Sequence, residues 1–439
     1  MPPRPVSAEA GVGVISGPSS ERGTRERSAW GSSVRECPQR PTCDVTHVER
    51  LFKEAASASR SRVSARLAAL TAAAMALPGV HARAADVIPG ANPFSLEASH
   101  LEYFESGNRM RVRVNQATGT VPVSDSILLV GDYIQDVMSG ASPIFNVPGP
   151  GGQPQQVLTG ASVFDRREAE DIGGTLFSGN NQLTLRQGWS LENDYKSTWT
   201  SVEARHFANQ KDTVFAVGFA FNDDGVSTHD APHDYRTRIK RDFFAGVTQI
   251  IDERSLIELS LEYSYSNGYL SDPYKLVFVQ STGLLPDARP GQRRQTALTG
   301  KYLDYVPAID SALQVVGSLS HDNWGINAGA LEVQLKKELP GEWLVNAGGR
   351  IYSQTSANFY QVYFQTPPVD GLHTSDYRMA GFGSASWILG ATKQLTPNFS
   401  VQFSAERTYR RYSLRWGGAG YDGDNYIWSF YLITLQAQF

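Results

Sequence analysis

The sequence predicts an all-β fold: a transmembrane antiparallel up-and-down β-barrel of about sixteen strands, with short periplasmic turns and longer extracellular loops. Three observations predict it. Segments of about ten residues alternate apolar and polar side chains with a period of two. The connections between them alternate between short and long. The last segment carries an apolar face whose final member is the terminal Phe439.

The alternation is cleanest at Ile257, Leu259, Leu261, Tyr263 and Tyr265, which interleave with Glu258, Ser260, Glu262 and Ser264. A strand sends successive side chains to opposite faces, so this segment has one greasy and one polar face. Leu331, Val333 and Leu335 oppose Glu332, Gln334 and Lys336 in the same way. Phe215, Val217, Phe219 and Phe221 oppose Ala216, Gly218, Ala220 and Asn222. Leu183, Leu185 and Trp189 oppose Thr184, Arg186 and Gly188, and Met110, Val112 and Val114 oppose Arg109, Arg111 and Arg113. In chain order the expected strands are 95–105, 108–117, 125–138, 165–177, 181–193, 195–207, 212–223, 237–252, 255–271, 292–306, 310–326, 327–339, 342–356, 376–396, 399–415 and 425–439. The facing of 125–138 and 376–396 is open.

Ser178-Gly179-Asn180, Asn209-Gln210-Lys211, Asp252-Glu253-Arg254, Pro307-Ala308-Ile309, Pro340-Gly341 and Pro397-Asn398 form the short set of connections. The long set is 139–164, 224–236, 272–291, 357–375 and 416–424. An even strand count with short turns on one rim and long loops on the other fits a bacterial outer-membrane barrel, with both termini on the periplasmic side. Hydrocarbon offers backbone groups no partners, so only helices or a closed sheet can cross it. The longest near-apolar run, Val214 to Phe221, is far short of the roughly 18 residues of a spanning helix.

The first 84 residues differ from the rest. Arg60, Arg62 and Arg66 precede an apolar run from Leu67 to Val80, and Ala82-Arg83-Ala84 has a small-x-small spacing. This order is that of a Sec-type signal over 60–84, with Ala85 as the first mature residue. Residues 1–59 are rich in Arg, Ser, Glu, Gly and Pro and have no strand or helix period; they read as a disordered extension or a mis-called start. Cys37 and Cys43 both lie there, so no disulfide framework spans the body.

The whole chain of 439 residues has a formal net charge of -4. Twelve of its 40 basic and seven of its 44 acidic residues lie in 1–84, leaving 28 and 37, a net charge of about −9, beyond. That excludes a simple basic nucleic-acid binder. A mean hydropathy of -0.31 excludes a bundle of membrane helices.

Asn267-Gly268-Tyr269-Leu270-Ser271-Asp272-Pro273-Tyr274-Lys275 resembles a segment of a domain-of-unknown-function family of predicted Gram-negative outer-membrane β-barrel proteins. Ser139-Gly140-Ala141-Ser142-Pro143, Glu192-Asn193-Asp194-Tyr195, Asp322-Asn323-Trp324-Gly325-Ile326 and Ser353 to Tyr360 are similar to it too. The resemblance covers most of residues 100–439. It implies a barrel in the cell envelope and gene settings linked to envelope redox systems, but no established substrate or activity.

If the greasy faces look outward, Arg109, Arg111, Arg113, Arg186, Glu203, Arg205, Glu258, Glu262, Glu332, Arg350, Glu406 and Arg410 point into the lumen. A barrel of this size encloses an aqueous channel, and opposed Arg and Glu clusters would set a transverse field that selects polar solutes. A lumen closed by salt bridges or inserted loops is the structural alternative. Tyr431, Ile433, Leu435 and Phe439 resemble the C-terminal signal read by the barrel-assembly machinery. His229, Asp230, His233 and Asp234 form a weak metal candidate in a long loop; a solvated loop explains them as well. The loop with Tyr274 and Lys275 could plug the barrel or sit outside it.

No G-x-S-x-G, H-E-x-x-H, phosphate-binding glycine loop or C-x-x-C-H occurs. The strand histidines His100 and His206 have no evident Ser and acid partner, so the expectation is a non-enzyme without cofactor. The leading expectation is porin-like passage of small polar solutes or ions. The alternative is a structural, receptor or conduit barrel for an envelope redox or secretion partner. Expected partners are outer-membrane lipid, lipopolysaccharide and the barrel-assembly machinery, with no nucleic acid.

Overall fold

The period-two segments become the staves of one closed sheet. The computed structural model describes residues 94–107, 109–141, 143–149, 153–158, 163–228 and 231–439. The extension 1–59, the signal 60–84, and His229 and Asp230 lie outside the described residues. The barrel strands are β1 (Ser95–Glu105), β2 (Arg111–Ser124), β3 (Ile127–Gly140), β6 (Val163–Ser178), β7 (Asn181–Leu191), β8 (Tyr195–Ala208), β9 (Thr213–Thr228) and β10 (Ala231–Asp252). They continue with β11 (Ser255–Gly268), β14 (Gln292–Val306), β15 (Ser311–Asp322), β16 (Asn327–Leu339), β17 (Trp343–Gln354), β18 (Phe382–Thr396), β19 (Phe399–Arg411) and β20 (Tyr426–Gln438). Two small hairpins, β4 (Pro143–Pro148) with β5 (Pro154–Leu158) and β12 (Leu276–Val279) with β13 (Gly283–Pro286), stand in the long loops.

Every barrel strand pairs antiparallel with its neighbour in sequence order, and β1 closes the ring on β20 from Ser95↔Gln438 to Glu105↔Trp428. Closure leaves no unpaired sheet edge. Each of the sixteen expected strands has a barrel strand in its place. The 376–396 segment starts as strand only at Phe382, because Asp376 caps a 3₁₀ turn over Tyr377–Met379. The expected 224–236 loop is instead mostly strand: β9 and β10 stay paired to Thr228↔Ala231.

The turns after β6 and β16 use Gly179 (φ 57) and Gly341 (φ 79), where a left-handed backbone suits glycine. On the outer face, Leu185, Leu259, Leu261, Leu331, Ile351, Leu389 and Leu435 are exposed. Between them on the same strands lie half-buried or buried polar groups such as Arg186, Glu258, Glu332 and Arg350. The greasy side of the alternation is therefore the outside over most of the ring.

Candidate functional site: the lumen and its loop cap

Lumen-facing charges occur as neighbours. Arg186 of β7 meets both Asp132 of β3 and Asp171 of β6. Arg205 pairs with Glu203 on β8. Lys301 of β14 stands 3.3 Å from Glu258 of β11, and Glu262 shares that inner face. Arg350 of β17 meets Glu406 of β19 and lies 4.0 Å from Glu332 of β16. Charges this close cancel one another's field beyond a few ångströms, so these groups form local pairs rather than the opposed positive and negative walls expected from the sequence. On β15 to β17 the wall is packed: Lys336 donates to Gln314 at 3.3 Å, and Asn346 to Gln334 at 3.3 Å, all buried.

Arg111 and Arg113 correct the face assignment. The alternation read from the sequence sends them inward; they lie on the outer face beside Glu102, at 2.7 and 3.1 Å. Val112 and Val114 take the inner face with Leu101 and Tyr103. The cause is what fills the barrel there. Tyr377, from the loop between β17 and β18, packs on these residues together with Tyr426, Trp428 and Phe430 of β20. An apolar filling selects apolar wall residues.

That loop belongs to a cap at the long-loop rim. Lys275 is buried and donates to the Pro143 carbonyl, joining the loop 269–291 to the β4–β5 hairpin. Phe364 donates to Phe278 at 2.9 Å, and His373 to Ala288 at 2.8 Å, joining 269–291 to 355–381. Tyr421 donates to Asn146, bringing in the loop 412–425. Trp324, between β15 and β16, stacks edge-on to Phe359 at 5.2 Å. Thus the segments that resemble the barrel family, scattered over some two hundred residues, meet in one structure.

Asp376 is its electrostatic centre. Its carboxylate is fully buried and accepts from Arg289 at 2.7 Å and from Arg378 at 2.8 Å. Burial alone would push its pKa up; Arg378, Arg289 and Lys275 overcome this and hold the carboxyl well below its usual range. Arg378 also meets Asp272, and Arg289 meets Asp287 at 2.7 Å.

Tyr377 is a second hub. Arg109, Arg410 and Lys275 lie 5.2, 5.3 and 5.6 Å from its ring centre, a cation–π arrangement strengthened by exclusion of water. Arg109 bonds Glu105 at 3.0 Å and Gln156 at 2.8 Å. Arg410 donates to the Tyr377 carbonyl at 2.6 Å and sits over Phe382. The two arginines expected in the lumen therefore fasten the cap to the wall.

Sequence reasoning missed one acidic cluster. Asp165, Glu192 and Asp194 bring one carboxylate oxygen each within 4.8 Å of one another. Burial, and then the neighbouring Asp165, Asp136 and Asp194, push Glu192 up to about 8 against the pull of Arg167, so a proton relieves the crowding. Asp194 also accepts from Tyr274, whose ring is exposed. Residues this far apart in sequence carry no spacing signal. His233 and Asp234 are exposed on β10. His100 and His206 face outward and bond Asn115 at 2.8 Å and Asn181 at 2.9 Å. Tyr431, Ile433, Leu435 and Phe439 lie together on the outer face.

A family model described as "Protein of unknown function (DUF3570)" matches residues 67–422, which takes in β1 to β19 and stops before β20. The chain belongs to this family. No curated protein matches it. Among solved structures, this DUF3570 barrel is similar to a bacterial polysaccharide outer membrane secretin, at 10% identity over 79% of this chain and 99% of that one, with a TM-score of 0.44. It is similar also to OprB of Pseudomonas putida (8% identity, 79% and 92% covered, TM-score 0.38) and to the monoaromatic hydrocarbon channel CymD (8%, 79% and 89%, 0.38). The fold of the DUF3570 chain is a closed antiparallel barrel of sixteen strands.

Proposed function

We propose that this chain, exported by the signal at 60–84, sits in the bacterial outer membrane and passes small polar solutes or ions through a gated lumen. The single observation that carries this reading is the buried Asp376 hub. Four long loops are joined over a lumen lined by charged side chains, by isolated hydrogen bonds and, between 269–291 and 355–381, by the ion pairs around Asp376 rather than by continuous sheet. Such a joint opens when one partner is neutralised. Inside the barrel, local charge pairs offer a polar solute both donors and acceptors without trapping a single sign.

The experiment is planar-bilayer recording on the refolded protein, comparing the native chain with Asp376→Asn. The native cap gives a low or rarely open unitary conductance; the variant gives a larger and more often open one. Absence of any current from folded, membrane-inserted Asp376→Asn overturns the pore reading. It favours the second one, a receptor or conduit barrel, which the same cap supports because it presents one continuous, internally braced surface to a partner.

A further inference from the structure

We propose that the outer face of β1, β2, β3 and β6 is a self-association surface that binds a second copy of this chain within the membrane. The inference rests on the outer-membrane reading above.

Four adjacent strands carry clustered charge on the outer face. On β1 and β2 the outer face carries Glu102 with Arg111 and Arg113, and His100 bonded to Asn115. On β6 it carries Arg166 bonded to Glu168, with Glu170 exposed beside them. Tyr133 and Gln135 of β3 lie between, and Tyr133 and Arg166 both donate to Glu168.

The patch has apolar neighbours on both sides. Glu102 and His100 stand directly across from Tyr431 and Ile433 of β20. Glu168 and Glu170 stand across from Leu191 and Trp189 of β7. All four of those flanking residues are exposed and apolar. The charges are therefore flanked by apolar side chains on both sides, in the half of the sheet nearer the long loops. Charged side chains on a lipid face are destabilising in proportion to their depth. The internal ion pairs halve the problem; a cover that supplies further partners removes it.

A second copy supplies them by symmetry. Counting formal charges on the outer face alone, β1 and β2 present two arginines against one glutamate, and β6 presents two glutamates against one arginine. A two-fold axis along the membrane normal, passing just outside β3, sets β1 and β2 of one copy against β6 of the other. The arginine-rich half of each copy then meets the glutamate-rich half of its partner twice, as an isologous interface requires. Gln135, in register between Asn115 and Glu168, falls beside the axis.

The test uses the full chain in outer membranes. Gln135→Cys is oxidised in situ beside a Leu331→Cys control on the opposite apolar wall. The expected result is a homodimer band for Gln135→Cys alone. In detergent, the native protein runs as a dimer, the double change Glu168→Arg with Glu170→Arg runs as a monomer, and adding Arg111→Glu with Arg113→Glu restores the dimer. A folded barrel that is membrane-embedded yet monomeric, or a cross-link to another protein only, overturns the inference and leaves the membrane reading standing. Recovery of the native chain outside the membrane fraction overturns both. Heat-modifiable mobility of each variant separates loss of the dimer from loss of folding.

Discussion

Arg289 and Asp376 meet at 2.7 Å with both side chains buried, and this contact ties together two long loops whose strands lie in different parts of the barrel. Backbone bonds such as Phe364 to Phe278 and His373 to Ala288 also join 269–291 to 355–381, and the ion pairs of Asp376 with Arg289 and Arg378 brace that joint. Replacing Asp376 by Asn leaves two buried guanidinium groups short of their counter-charge. Breaking a buried pair in this way costs about 3–5 kcal/mol. The loss falls on the cap, because the barrel strands are held by their own ladders. Hydrogen exchange should speed up in 269–291 and 355–381 while β14 to β20 stay protected. Unchanged protection in the two loops would contradict the role given to Asp376.

The pH response follows from two other loop acids. Glu192 is raised from its ordinary value of 4.5 to about 8, by burial and then by the acids around it. Asp424 is raised from 3.8 to about 6, by burial against the opposing pull of Arg410 and Arg109. An acid whose folded pKa is raised favours the folded form when protonated. Its contribution is present in full below the ordinary pKa and is lost as pH rises through the folded value. The cap is therefore tightest below about pH 4 and loosens progressively as pH rises, through Asp424 until about pH 6 and through Glu192 until about pH 8. Asp376, shifted the other way, stays ionised across this window. Loop proteolysis should accelerate from about pH 5 to about pH 8 and level off above; Glu192→Gln removes the rise between about pH 6 and 8, and Asp424→Asn lessens the rise below it. A flat profile in the native protein would sink this account.

Most of the wall was legible because a half-buried strand writes its two faces into alternate residues. Ile257 to Tyr265 needs no partner to be read. Alternation does not say which face is inside, and at β2 that mattered. Val112 and Val114 look inward only because Tyr377, far along the chain, fills the lumen beside them. The cap was illegible for the same reason. Hairpins β4–β5 and β12–β13 are short, and their order comes from contacts such as Phe364 to Phe278 and Lys275 to Pro143. No local period records a contact across such a separation.

Leu259 and Val333 test the face assignment where the alternation is clean. Both are exposed on the outer side, and Leu259 lies across from Val247 and Gly300 in the middle of its strand. Arginine at either site places a charge where hydrocarbon is expected, at a cost of about 2–4 kcal/mol near the midplane. Folding titrations in lipid vesicles should show that loss. The same substitution at Ser260, on the inner face of the same strand, should cost much less. Equal effects at Leu259 and Ser260 would refute the assignment.

Phe439 closes the seam. Its backbone N–H donates to the Phe94 carbonyl at 2.9 Å, and its ring packs 5.8 Å from Phe94 and 5.7 Å from Phe399. Tyr431, on the same outer face, packs on Phe104 and Phe403 in the same manner. Two consequences of deleting Phe439 can be separated. The seam loses one backbone bond and two ring contacts, each aromatic pair worth about 0.5–1.5 kcal/mol, a modest loss against a closed ladder of sixteen strands. The assembly signal loses its last member, which in cells is decisive if the terminal strand is what the assembly machinery reads. The deleted protein should therefore accumulate as a misassembled periplasmic species in cells, yet refold from denaturant into detergent with nearly native heat-modifiability. Phe439→Tyr keeps the ring pairs and should restore outer-membrane yield. Normal yield from the deletion would show that the seam closes without its terminal residue and that the strand is not read as a signal.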